Sequence, residues 1–140
     1  MSEDFSILIR NCQEIERVTE TISQFLGHPL VRRTDVEWKL YTTEAIGFYI
    51  SVFEADDFEN NAGIEFEKYP LMVGITGFSL MTRVEHFDEW FRSFSLGLAG
   101  IIYRDLGCEC LVVKNFFDIV GAFPASEADQ QSNAGSKPVG

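Results

Sequence analysis

Six carboxylates stand within the fourteen residues from Glu54 to Glu67, with no lysine, arginine or histidine among them: Glu54, Asp56, Asp57, Glu59, Glu65 and Glu67. Such a run could hold calcium, do acid–base work or steer a cation. Read as a calcium loop from Asp57, it puts Glu59 and Asn61 at the third and fifth ligand positions. The obligatory glycine position is then Ala62, and the closing bidentate carboxylate position is Lys68, so an EF-hand is not expected. Carboxylate pairs for general acid–base catalysis are uninformative in a chain with 22 acids. The plain reading of the run is a solvated loop between strands. The functional reading is a docking surface, because Glu65 and Glu67 fall on one face of a strand and extend the charge of the loop. Phe58, flanked by Asp57 and Glu59, is either an apolar anchor for a partner or a lid on the core.

The other reactive side chains do not fall into a known pattern. Cys108 and Cys110 are separated by Glu109 alone, and Cys12 is distant in sequence. Structural zinc sites use two pairs with two to four residues inside each pair, and no histidine pair exists here, so no metal is expected. In a strand the two cysteines would share a face, which suits packing. His28 precedes Pro29 in a turn and His86 opens a helix; neither lies in a motif that would activate a thiol. There is no G-x-S-x-G elbow, and Gly74, Gly77, Gly97 and Gly100 match no phosphate-binding loop. No catalytic residue and no cofactor are therefore expected. The strand aromatics Trp38, Tyr41, Tyr49 and Phe53 could line a ligand pocket, although core packing is the commoner use of such residues.

The elements that would position these residues follow from periodicity. Phe5 to Arg10 is a short apolar strand. Asn11 and Glu14 have capping-box spacing, and Ile15, Val18, Ile22 and Phe25 then make one helical stripe that Gly27 ends. Val36, Trp38 and Leu40 alternate with polar neighbours, as do Ile46, Phe48, Ile50 and Val52, with Thr42 to Ala45 as the hairpin connection. Ile64 and Phe66 restart the alternation. Leu71 to Phe78 is apolar on both sides and predicts a central strand. Thr82 and Glu85 suggest a second helix start. Val84, Phe87, Phe91, Phe94, Leu98 and Ile101 follow at steps of three and four, with a stop at Gly107. Gly97 and Gly100 imply either a break near Ser93–Ser95 or a close approach to the sheet. Glu109 to Lys114 and Phe116 to Val120 read as a last strand or pair.

These elements predict an α+β fold, a mostly antiparallel sheet with two amphipathic helices packed on one face. Residues 1–123 form one domain in this reading. Residues 124–140, rich in Ala, Ser, Gln, Asn and Gly, are expected to be a disordered tail. The hydrophobic share of 46% is ample for a core. The net charge of -11 argues against nucleic acid and against anionic membranes, and favours a basic protein partner. There is no apolar run of membrane-spanning length, and the acidic start Met1-Ser2-Glu3-Asp4 is unlike a secretory leader, so a cytoplasmic protein with reduced thiols is expected.

In outline, residues 1–123 resemble the small acidic immunity proteins of bacterial toxin systems. The features that carry the likeness are the compact α+β pattern, the negative charge, the stretch Glu54–Glu67 with its Gly63-Ile64-Glu65-Phe66, and the late amphipathic helix followed by a strand. The resemblance implies a non-catalytic protein that binds a basic toxin domain, often a nuclease, and blocks it. Two alternatives stand beside it: an adaptor or regulatory domain that binds through a sheet edge, and a ligand-binding domain or small enzyme with an aromatic pocket.

Overall fold

The computed structural model describes residues 4–12, 14–45, 47–54, 64, 68–78, 83–116 and 118–124. Within them the chain runs β1 (Asp4–Arg10), α1 (Ile15–Leu26), β2 (Val31–Arg32), β3 (Leu40–Ala45), β4 (Phe48–Glu54), β5 (Leu71–Gly77), α2 (Phe87–Leu106), β6 (Glu109–Lys114) and β7 (Asp118–Phe123). The seven strands form one sheet in the order β2-β3-β4-β5-β1-β6-β7, and every pairing is antiparallel. The α+β architecture read from the sequence is the one observed. No helix among the described residues is long and apolar enough to cross a membrane.

The middle of the sheet is dictated by burial. β5 is apolar at Leu71, Met72, Val73 and Ile75, and it occupies the central position between β4 and β1. Its register sets the two faces. Ile75 lies opposite Phe5 and Ile50, and Val73 lies opposite Ile7 and Val52. These side chains meet α1 and α2 in one core with Val18, Ile22, Phe91, Leu98 and Ile102. On the other face a smaller cluster joins Leu8, Met72, Val113 and Ile64, with Phe53, Tyr69 and Leu111 against it.

α1 buries Ile15, Val18 and Ile22 and stops at Gly27, which takes the left-handed conformation (φ 66°) that a residue with a β-carbon resists. Its start differs from the expected cap. Glu14, not Asn11, precedes the first turn, and no side chain caps it. Asn11 itself has φ 62°, and its amide donates to Glu109 on β6. The Asn11 side chain is thus turned toward a carboxylate remote in sequence, rather than toward the first turn of α1. Phe25 is also displaced from expectation: it is 43% exposed, with its ring centre 6.1 Å from that of Phe94.

The hairpin between β3 and β4 lies later than the sequence suggested. Thr42 to Ala45 belong to β3, where Thr42 and Thr43 are buried. The chain reverses at Gly47, whose φ is 87°, and Ala45 pairs with Phe48. Val36 to Trp38 are bends, with Trp38 56% exposed, rather than strand. α2 is continuous through Ser93–Ser95, where the Ser95 hydroxyl donates to the Phe91 carbonyl at 2.9 Å. It begins at Phe87 after His86, so Val84 stands outside it and is 49% exposed; Thr82 is outside the described residues. The ending at Gly107 is as expected. β7 carries a bulge opposite Val112/Val113, which brings Val120 as well as Phe123 against the core. Of residues 124–140, only Pro124 is described.

Candidate functional site

Glu54 is the last residue of β4, opposite Leu71, and its carboxylate is exposed. It is the member of the acidic run that the structure places. Asp56, Asp57, Phe58, Glu59, Glu65 and Glu67 lie outside the described residues. The run is nevertheless tied to the sheet at two points. It leaves at Glu54, and Ile64, 1% exposed, packs on Leu8, Met72 and Val113. Tyr69 continues that cover, with the Arg10 guanidinium 5.5 Å from its ring centre.

Four basic side chains of the described surface are paired with carboxylates. Lys39 contacts Glu16 at 2.8 Å, and this hydrogen bond holds the Glu16 carboxyl below its ordinary range. Glu54 adds attraction at Lys39. Arg10 spans from β1 to Glu109 on β6 at 2.9 Å, Arg33 holds Asp35 at 2.7 Å, and Arg104 holds Asp105 at 2.8 Å. A matched pair removes one charge of each sign, so these pairs leave the net charge of -11 unchanged. Surface pairs of this kind add little stability, but they do quench positive patches.

A second surface feature escaped the sequence reading. Phe48 is buried under Phe87, Phe91 and Phe94, and Trp90 packs on it with ring centres 5.0 Å apart while staying 40% exposed. Phe25, 6.1 Å from Phe94, continues the aromatic surface on α1. The start of α2 beside Trp90 carries Glu85, Asp88 and Glu89, with His86 3.3 Å from Glu85. Trp90 stands three residues after Phe87 and four before Phe94, so helical spacing puts it on the flank of the buried stripe and could have found it.

The aromatic residues proposed for a pocket are separated by the sheet. Tyr41 packs on the helix side, with Arg32 5.9 Å from its ring centre. Phe53 belongs to the opposite cluster, Tyr49 shares that face, and Trp38 is exposed. His28 bonds Thr43 Oγ1 at 2.9 Å and the Pro29 carbonyl at 3.1 Å, which ties the end of α1 to β3. Cys108 and Cys110 are both buried in the helix-side core, but only Cys110 lies in β6; Cys108 stands just before the strand.

Comparison of the chain with protein-family models, with curated proteins and with solved structures finds no match.

Proposed function

We propose that this chain is a non-catalytic immunity or inhibitor protein, which binds a basic toxin domain through the acidic stretch Glu54–Glu67. The observation that carries the reading is the net charge of -11. A field of that sign speeds the approach of a cationic partner and disfavours nucleic acid. The fold is consistent with the reading in that it holds the stretch at two points, Glu54 on β4 and Ile64 on the face of the sheet away from the helices. Anchoring at two points limits the entropy lost when the segment between them is captured. Trp90 and Phe25 offer apolar contacts of the kind that dominate binding energy, beside acids that suit the same partner.

The test is capture of partners from native lysate at low salt, with the unmodified chain and an Asp57→Lys, Glu65→Lys double variant run side by side. The expected result is a basic domain retained by the unmodified chain alone. That domain should arrest growth when expressed by itself, and co-expression of this chain should restore growth. Equal retention by both baits, or a captured partner that is harmless alone, would overturn the reading.

A further inference from the structure

Cys12, distant in sequence from Cys108 and Cys110, meets Cys108 at one end of the molecule. β1 and β6 are paired with Arg10 opposite Glu109. Cys12 lies two residues past the end of β1, and Cys108 one residue before the start of β6. Both line a cavity of about 270 Å³ with Asn11, Glu14, Arg17 and Leu106. Cys12 and Cys108 are thus neighbours across one cavity, and all three cysteines are free. Cys12 is half-buried, Cys108 is fully buried, and Cys110 lies deeper in the sheet with its thiol 3.6 Å from the Cys108 carbonyl. No group of three or more metal-ligating side chains is formed among the described residues.

We propose that Cys12 and Cys108 form an oxidation site, at which a hydroperoxide converts the two thiols into a reversible intramolecular disulfide. The more exposed Cys12 reacts first. Its proton goes to solvent, and its sulfur attacks the terminal oxygen of the peroxide. An S–O bond forms, the O–O bond breaks, and the rest of the peroxide leaves as an alcohol, or as water from hydrogen peroxide. Cys12 is then a sulfenic acid, oxidised by two electrons, and the peroxide is reduced by two. Cys108 attacks that sulfur next. The S–S bond forms, the S–O bond breaks, and hydroxide leaves with the Cys108 proton as water.

The geometry assigns these roles in this order. Burial, with Cys12 alongside, pushes the Cys108 thiol up, so it stays protonated until the sulfenic sulfur is beside it. Arg17 acts on Cys108 in the opposite sense and favours its thiolate. Both cysteines sit on connecting segments, Cys12 before α1 and Cys108 between α2 and β6. The backbone there can adjust to the narrow geometry that a disulfide demands. The bond would close most of the chain into one loop, which restricts the unfolded state strongly. In a reducing compartment such a bond is transient and serves as a sensor.

The experiment treats the reduced full chain with a few equivalents of hydrogen peroxide, blocks remaining thiols after denaturation, and maps peptides by mass. The expected product is monomeric, lighter by two hydrogens, and joins the Cys12 and Cys108 peptides with Cys110 left free to be blocked. Dithiothreitol should restore the starting mass. The thermal midpoint of the oxidised chain should rise by roughly 5 °C or more. Cys110→Ala should keep the product, whereas Cys12→Ser and Cys108→Ala should each lose it. A cross-link through Cys110, a dimer, or accumulation of Cys12 sulfinic acid with Cys108 still free would overturn the proposal.

Discussion

At the scale of single residues, burial acts most strongly on two thiols at one end of the sheet, Cys108 and Cys110. Burial pushes the Cys110 thiol up to about 12 from an ordinary 9.0. The folded chain therefore keeps this proton over a range in which the unfolded chain has released it. Above about pH 9 the unfolded state binds fewer protons, so stability falls as pH rises toward 12. This group contributes up to about 1.4 kcal/mol per pH unit to that fall. Urea unfolding of the reduced protein from pH 8 to 12 should show a steeper decline for the parent than for Cys110→Ala. The variant should differ by a constant offset below pH 9. Parallel curves throughout would mean that the thiol is not held protonated by the fold.

At the scale of elements, the contact between α2 and the sheet decides which glycines can change. A β-carbon at Gly77 would lie 2.7 Å from Phe87 Cζ, inside a core where Phe87 is also stacked on Phe48. Gly77→Ala should cost about 1–3 kcal/mol, as overpacking of a filled core does. Gly97 lies mid-helix, and a β-carbon there would meet nothing within 4 Å, so Gly97→Ala should add about 1 kcal/mol of helix stability. Equilibrium urea denaturation of the two variants should move the midpoint in opposite directions, and a shift of the same sign in both would contradict the packing described. Sequence reading left the glycines of α2 open between a break and a close approach. The structure divides them, since a β-carbon at Gly100 would lie 3.4 Å from the Phe123 ring while one at Gly97 would meet nothing within 4 Å. What was legible came from long patterns: the two-sided apolar run of β5, the alternation Phe48, Ile50, Val52, and the stripe of α2. What was not legible depended on partners far along the chain. Thr42 and Thr43 look like turn residues but are buried beside β4, and the true reversal at Gly47 has no Asn, Asp or Pro to announce it. Asn11 has the spacing of a cap, yet its side chain turns toward Glu109, remote in sequence. The acidic run was legible as charge, and of the proposed docking residues only Glu54 falls among those described.

For the whole molecule, charge sets two responses to salt that have opposite signs. With 22 acids against 11 bases, the compact state gathers like charges that the unfolded chain spreads apart. The ion pairs at Glu16, Asp35, Asp105 and Glu109 offset this locally, but being exposed or partly exposed they are themselves weak. Raising ionic strength from about 0.01 M to 0.15 M shortens the screening length from roughly 30 Å to 8 Å. Over that range the thermal midpoint at pH 7 should rise, because self-repulsion is damped more than the short ion pairs are. Association with a cationic domain should weaken over the same range, chiefly through a slower on-rate. Calorimetry and stopped-flow binding in one salt series would read both responses. A partner that docked mainly on the aromatic surface of Trp90 and Phe25 would hold its affinity while the melting point still climbed. That result would leave the electrostatic account of the fold standing and move the binding surface from the Glu54–Glu67 stretch to the helices.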